Sequence, residues 1–299
     1  EFLAPTPEKL RFYKIKVEGL LGGHSGGDIH LPRANANKMI ARLMTVLNKN
    51  IDIFISEWNS GSNANVIPRS SQMIFGINPI DESKLKQMFR NEKEAIYRYY
   101  LNEMKILEPN MSIFIEDVEN RKVFGKKEST NIIATANLIP NGVINVSPLY
   151  EDFIHTSCNF GVIKTNENEI EFQSYPRSIW RTELNVLVNR FDQLAKFNRW
   201  EIELRPILPE WSPKPNSQFI QFVKKQYEQV VNQEIKLHLV HGGLETGMIS
   251  NKLPRVSMVS LGPTVEDNHS PNERLKIEDV GILYQVLKNI VMNINKIKN

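Results

Sequence analysis

The stretch RFYKIKVEGLLGGHSGGDIH, residues 11–30, holds the two features from which the fold can be argued. Its first part, RFYKIKVE, alternates apolar and charged side chains, which is the period of a half-buried strand. Glycine then occupies four of the six positions 22–27, which predicts positive φ angles or a close approach of another backbone. This loop presents one imidazole, His24. It either positions that group for a function or only turns the chain, and composition alone does not separate the two.

Hydrophobic periodicity on both sides of the loop predicts an α+β fold. The order βαββαβ is ferredoxin-like, with two helices on one face of a four-stranded antiparallel sheet. The strands of this unit are predicted at 11–18, 51–58, 66–77 and 111–116, and its helices at 36–47 and 83–104. The sheet is expected to continue through strands at 130–138, 143–148, 158–165 and 169–175, a helix at 180–197 and a short strand at 200–204.

Four prolines between residues 206 and 215 mark the clearest domain boundary. They divide the chain into an α+β domain at 9–206 and a C-terminal segment at 207–299. The segment has an α/β pattern, but its two strands make an incomplete sheet, so we expect strands from elsewhere to complete it. The predicted elements of the segment are a helix at 216–232, strands at 235–240 and 256–262, and a final helix.

Length and composition describe an ordinary globular chain and exclude several classes of protein. The 299 residues carry 37 basic and 34 acidic side chains. A net charge of +3 does not indicate a basic surface that would bind nucleic acid or anionic lipid. No apolar run approaches the ~20 residues of a membrane span, and no signal peptide is recognisable. The single cysteine, Cys158, excludes an internal disulfide, and no HxH, HExxH or CxxC motif is present. These features predict a cytoplasmic protein without nucleic-acid or membrane partners.

Polar residues beside predicted turns are the candidates for chemistry. His269 in NHSP follows the predicted strand 256–262, a position where α/β sheets bind metals, although loop histidines are more often solvated. Arg177 in SYPRS could bind a carboxylate through its planar guanidinium. Asn65 in GSNANVIP offers a side-chain amide, and amides in turns are usually structural. Gly243 in HGGLETG lies at a turn whose N–H groups could bind an anion or only allow the turn.

Six segments in order carry a more specific signal: GLLGGHSGGDIHLPRANANK, GSNANVIPR, TSCNFG, SYPRS, HGGLETG and SLGPTVEDNHSPNERLKIEDVG. Together they resemble the Xaa-His dipeptidase (aminoacyl-histidine dipeptidase, carnosinase-like) branch of the dinuclear zinc aminopeptidase and aminoacylase family. The resemblance implies that 9–206 is a lid domain inserted into an α/β catalytic domain, of which 207–299 is the C-terminal part. It also implies that the chain is a fragment, because the family's general base and other metal ligands precede the lid.

The same resemblance implies roles for five residues. His269 would be the last zinc ligand, and His24 would polarise the scissile carbonyl. Asn65 and the backbone of Gly243 would contact the substrate, and Arg177 would bind its carboxylate. The implied activity is hydrolysis of short peptides, Xaa-His dipeptides above all, by water that two zinc ions activate, in an enzyme that pairs as a homodimer near the lid. The 299 residues on their own would be inactive.

A non-catalytic module is the competing hypothesis. Here the ferredoxin-like domain would serve dimerisation or the binding of a small ligand, and the metal chemistry would have been lost. The two hypotheses differ in whether the family's other metal ligands accompany this chain. RNA binding is a weaker third, because the predicted strands lack the aromatic stacking motif of such domains.

Overall fold

The computed structural model describes residues 10–119, 121–148, 153–167, 169–205, 214–239, 241, 245–253, 255–266 and 273–297. The first part of the chain forms the predicted βαββαβ unit, in which neighbouring strands β3-β5-β1-β8 are all antiparallel. This is the strand order of a ferredoxin-like sheet, so the predicted topology is confirmed. The elements are β1 Arg11–Glu18, β2 Gly23–His24, α1 Ala36–Asn48, β3 Phe54–Ser60, β4 Val66–Ile67, β5 Ser71–Ile77, α2 Glu82–Tyr100, β6 Leu101–Asn102, β7 Lys105–Ile106 and β8 Ser112–Val118.

Helix α1 is capped at its N-terminus and packs one apolar face against the sheet. The side chain of Asn35 accepts hydrogen bonds from the backbone N–H groups of Asn37 and Lys38, which caps the helix N-terminus. The apolar side chains of α1 recur every three or four residues and therefore form one buried face. The buried face consists of Met39, Ile40, Leu43, Met44 and Leu47. It packs against Tyr13, Ile15, Phe75 and other residues of the sheet in the main hydrophobic core.

Three further strands extend this sheet, as predicted, and two helices accompany them. Strand β10 pairs with β9 and β11, and it joins the first unit through β3, where Ile163 lies opposite Ser60. The result is one seven-stranded sheet, and the predicted helix at 180–197 is present as well. The added elements are α3 Lys126–Leu138, β9 Gly142–Val146, β10 Ile154–Thr165, β11 Ile170–Ser178 and α4 Arg181–Asn198.

Two strand predictions in this region are wrong. Residues 130–138 belong to α3, because Ile132, Ile133 and Ala136 lie on one helical face that packs beside α1. Their β-branched side chains favour strands, but tertiary packing overrides that weak preference. Residues 201–205 are irregular. The neighbouring Trp200 packs inward, and its indole N–H donates to the side chain of Asn131 at 3.0 Å.

The described part of 214–297 is mainly helical, and its predicted first and last helices are confirmed. The predicted strands are not: residues 235–239 and 256–262 are irregular. A strand requires a neighbour for its N–H and C=O groups, and no described segment pairs with either stretch. The expected α/β sheet is thus not formed by the described residues, and the division of the chain at residue 206 stays a prediction. The elements are α5 Gln218–Val231, α6 Glu245–Lys252, β12 Val265–Glu266, β13 Arg274–Leu275 and α7 Ile277–Asn293.

None of the described helices is both long enough and apolar enough to cross a bilayer. The longest, α2, has 19 residues, of which Leu85, Phe89 and Ile96 are buried against the core. Its remaining surface is rich in charged residues, as expected for a helix with one face in water.

The C-terminus of α3 is held by a lysine from α1. The ammonium of Lys38 donates to the carbonyl oxygens of Ala136 at 2.9 Å, Asn137 at 2.6 Å and Ile139 at 2.9 Å. Carbonyls at the end of a helix lack partners within the helix and carry partial negative charge. Burial lowers the pKa of Lys38 to about 8, so the side chain is still largely protonated at pH 7.

We therefore predict that Lys38→Met lowers the free energy of unfolding at pH 7 by about 2 kcal/mol, since three helix-end carbonyls lose a charged donor. The matched control is Lys126→Met on the first turn of the same helix. Lys126 is exposed, and its contact among the described residues is a surface ion pair with Asp52, so its loss should cost less than ~0.5 kcal/mol. Urea denaturation measures both values, and equal losses would contradict the role of Lys38.

Candidate active site

Two loops that are far apart in the sequence are joined at the candidate site. Strand β2 pairs with β4, which places His24 opposite Val66 and Gly23 opposite Ile67. One residue further, the N–H of Ser25 donates to the carbonyl oxygen of Asn65 at 2.9 Å. The glycine-rich loop and the GSNANVIP turn therefore form one structural unit.

The ring of His24 is oriented by its own loop. Its Nδ1 accepts hydrogen bonds from the backbone N–H groups of Gly27 at 3.0 Å and Gly26 at 3.3 Å. A nitrogen that accepts two N–H donors carries no proton, so the neutral ring has its hydrogen on Nε2. The backbone N–H of His24 donates to the carboxylate of Asp28 at 2.9 Å. The loop thus presents His24 as a hydrogen-bond donor through Nε2.

Arg177 on β11 contacts the same loop. Its guanidinium donates to the hydroxyl of Ser25 from Nε at 3.3 Å and from an η nitrogen at 3.1 Å. It also lies 4.4 Å from the ring centre of Tyr175, a cation–π distance. Burial lowers the pKa of Arg177, although the neighbouring Tyr175 opposes this. Ser25 therefore links three predicted site residues, His24, Asn65 and Arg177, in one cluster.

Asn65 is positioned by a residue that the sequence analysis did not single out. The amide of Asn159, fully buried on β10, donates to the carbonyl oxygens of Ala64 and Val66, both at 2.8 Å. These two carbonyls flank Asn65 on either side. No described residue forms a hydrogen bond with the side chain of Asn65 itself, which is half-buried. The signal in the sequence was that Asn159 lies in the segment TSCNFG.

His241 connects the C-terminal part of the chain to this cluster. A Cβ atom at Gly26 would lie 2.2 Å from the carbonyl oxygen of His241, so only glycine allows this close approach. The ring nitrogen Nε2 of His241 is hydrogen-bonded to the hydroxyl of Ser157 at 2.7 Å. Burial, reinforced by the charge of Arg177 and by His155, lowers the pKa of His241 to about 4. His241 is therefore a neutral, buried contact between the segment HGGLETG and the glycine-rich loop.

The predicted site residues Gly243 and His269 lie outside the described residues. Within the described ranges, no group of three or more His, Cys, Asp or Glu side chains could hold a metal ion. The described part of the chain therefore does not by itself form a zinc site. Cys158 is fully buried, and burial raises the pKa of its thiol to about 12, so the residue lacks the lowered pKa of a nucleophilic cysteine.

Comparison with known proteins identifies relatives of this chain. Residues 17–293 match the family described as Peptidase family M20/M25/M40. The chain is 30% identical over 291 residues to the cytosol non-specific dipeptidase of Escherichia coli (strain K12), covering 97% of this chain and 59% of that protein.

A solved structure agrees with this match. The fold superposes on the aminoacylhistidine dipeptidase of Vibrio alginolyticus with a TM-score of 0.83 and 29% identity, over 97% of this chain and 58% of that one. The chain thus spans less than two thirds of the length of either relative. The similarity nevertheless covers both the sheet with its helices and the C-terminal segment.

The depressed pKa of His241 predicts a specific loss of stability in acid. The unfolded chain takes up a proton at this residue below about pH 6.5, whereas the folded chain does so only near pH 4. The stability associated with the neutral ring is therefore complete above pH 6.5 and is lost as the pH falls towards 4. When the pH is lowered from 7 to 5, the unfolding free energy of His241→Gln should therefore fall by about 2 kcal/mol less than that of the unsubstituted protein.

The control for this measurement is His238→Gln, which removes an exposed histidine three residues away. Urea denaturation at the two pH values should give the same loss for this variant as for the unsubstituted protein. If His241→Gln also keeps the full acid sensitivity, the ring of His241 is not the group that titrates.

Proposed function

This chain belongs to peptidase family M20/M25/M40, and we propose that it supplies the lid and the last metal ligand of a zinc-dependent dipeptidase. The proposed reaction is hydrolysis of short peptides, with Xaa-His dipeptides as preferred substrates. Family membership and the dipeptidase relatives favour this function over a non-catalytic module. The name of the Escherichia coli relative supports a cytosolic location, and a homodimer that pairs near the lid is part of the proposal.

The cluster formed by His24, Asn65 and Arg177 is the observation that carries the proposal. A dipeptide has a carbonyl to be attacked and a carboxylate at a fixed distance from it. The Nε2–H of His24 would donate a hydrogen bond to the carbonyl oxygen, which becomes more negative as the tetrahedral intermediate forms. Because its tautomer is already set by Gly26 and Gly27, this donor needs no reorganisation during the reaction.

Arg177 and Asn65 would hold the substrate in place. The guanidinium has a planar set of donors that matches a carboxylate, and it is already oriented by Ser25 and Tyr175. A half-buried cation gains a favourable partner when it binds an anion. The side-chain amide of Asn65 would add a polar contact to the peptide. Gly243 is proposed to contribute a backbone contact.

Zinc enters the proposal through the resemblance and through His269. Bound zinc lowers the pKa of a coordinated water and polarises a carbonyl. The described residues contain no group of three ligands. The roles proposed for His24, Asn65 and Arg177 involve substrate atoms only and need no assumption about where the metal lies.

The C-terminal helix supports the proposal that residues 207–299 are part of a larger catalytic domain. Large apolar side chains on α7 are well exposed in the described structure: Ile277, Tyr284, Leu287, Val291 and Met292. An exposed patch of this kind usually marks a surface that packs against other protein. We propose that it packs against the remainder of a catalytic α/β domain.

We predict that residues 1–299 alone do not hydrolyse an Xaa-His dipeptide, because a catalytic zinc site needs about three protein ligands. The experiment incubates the purified chain with the dipeptide and Zn²⁺ and measures released histidine. Hydrolysis that a chelator abolishes would show that the chain carries a complete site and would overturn the proposal that it supplies only the lid and the last ligand.

We further predict that His24→Ala lowers kcat by about 10²–10³ in a metal-loaded protein that contains this chain and hydrolyses the dipeptide, since one oxyanion donor is lost. KM should change little, because the donor acts mainly in the transition state. The control is His30→Ala, an exposed histidine of the same loop, which should leave both constants unchanged. An unaltered kcat in His24→Ala would remove His24 from the mechanism.

A further inference from the structure

The loop that carries His24 is fastened at both ends by one carboxylate. We define the His24 loop as residues 19–35. Near its start, the N–H of Leu21 donates to Oε2 of Glu108 at 2.7 Å, and near its end, the N–H of Ala34 donates to Oε1 at 2.7 Å. Glu108 follows the hairpin β6–β7 and is fully buried. A residue about eighty positions away in the sequence therefore closes the His24 loop.

The chemistry of this contact requires a carboxylate. Both oxygens of Glu108 accept short hydrogen bonds from N–H groups, so neither position suits a protonated or amide group. In the described part of the chain, no basic side chain forms an ion pair with Glu108. Its negative charge lies beside the N-terminus of α1, whose first turn contains no acidic residue and carries partial positive charge. A buried charge held only by backbone N–H groups is costly unless those groups stay in place.

The consequence for His24 follows from where the two fastened residues lie. Between Leu21 and Ala34 are His24 and the N–H groups of Gly26 and Gly27 that set its tautomer. The other described side-chain contacts that hold the loop backbone involve Arg33, Arg69 and Asp28, which are half-buried or exposed. Glu108 is the one that holds both ends at once, and it does so in a position shielded from water.

We propose that Glu108 is a positioning residue for His24: by fixing both ends of the loop, its carboxylate keeps the N–H groups of Gly26 and Gly27 on Nδ1 and so holds the ring in the Nε2–H tautomer. The role of His24 as a donor to substrate rests on the proposed function. The link between Glu108 and the ring does not, because it concerns the geometry of the loop in the chain itself.

The test that needs no activity is Glu108→Gln in the 299-residue chain, observed by NMR of ¹⁵N-labelled histidine. The His24 signals are assigned by their loss in His24→Gln. We expect the unsubstituted chain to show an unprotonated Nδ1 and a protonated Nε2. In Glu108→Gln, one backbone N–H of the loop faces an amide NH₂ and loses its acceptor. The ¹⁵N signals of both His24 ring nitrogens should then move towards the average of the two tautomers. The amide hydrogens of Gly26 and Gly27 should exchange about tenfold faster.

The matched control is Glu103→Gln, which neutralises an exposed carboxylate at the tip of the same hairpin and should leave the His24 signals unchanged. If Glu108→Gln does not fold, Glu108→Asp takes its place, because the shorter carboxylate keeps the charge but reaches only one of the two N–H groups. His24 signals and amide exchange identical to those of the unsubstituted chain, in whichever of these variants is folded, would overturn the proposal.

A kinetic test separates positioning from mere support of the fold. In a metal-loaded protein that contains this chain and is active, Glu108→Gln should lower kcat about tenfold or more and leave KM within about twofold. Combined with His24→Ala, it should add little further loss, because both changes remove the same donor. If the two substitutions lower kcat by independent factors that multiply in the double variant, Glu108 does not act through His24. If His24→Ala alone has no effect on kcat, the catalytic role proposed for His24 fails, while the NMR test of Glu108 still stands.

Discussion

The pairing of two very short strands, Gly23–His24 with Val66–Ile67, is the contact on which the candidate site depends. Each strand alone is too short to persist, since an isolated pair of this length has few hydrogen bonds to offset the ordering of its backbone. The pair persists because both of its loops are fastened elsewhere. Glu108 holds the His24 loop, and Asn159 holds the turn around Asn65. The position of the three site residues therefore depends on contacts with distant segments of the chain.

The interior beneath the site uses polar groups of a particular kind. Asn35, Asn159 and Glu108 are all buried, and most of their hydrogen bonds go to backbone groups. A buried polar side chain is tolerated when its partners are satisfied, and it then specifies one arrangement of those partners more strictly than an apolar contact could. This explains how irregular loops with many glycines can present side chains in fixed positions. The hydrophobic core supplies stability, and these polar side chains supply the geometry.

The sequence predicted those parts of the fold in which local pattern and tertiary packing agree. Strand β1 alternates, α1 has one apolar face, and the order βαββαβ follows. The predictions are wrong where the structure of a segment depends on its neighbours. The Ile-rich stretch of α3 is helical because α1 packs on it. Residues 235–239 have the composition of a strand, but no described strand pairs with them. The same limit applies to the site. His24, Asn65 and Arg177 stand in recognisable motifs, whereas Glu108 is a single polar residue whose importance arises only from contacts between distant segments. His241 begins the segment HGGLETG, but its contact with Ser157 becomes visible only in the structure.

The imidazole rings of His24 and His241 are neutral, so they do not compete with the guanidinium of Arg177 for an anion. His241 is kept neutral by burial beside Arg177, and the Nδ1 of His24 accepts two backbone N–H groups, which a second ring proton would oppose. Arg177 is therefore the positive group of the cluster formed by these three side chains. For a substrate with one carboxylate, a single cation defines one binding direction, because a second cation nearby would bind the carboxylate equally well. In the proposed function, a neutral donor in the place of His24 would interact with the carbonyl without attracting the carboxylate to the wrong end.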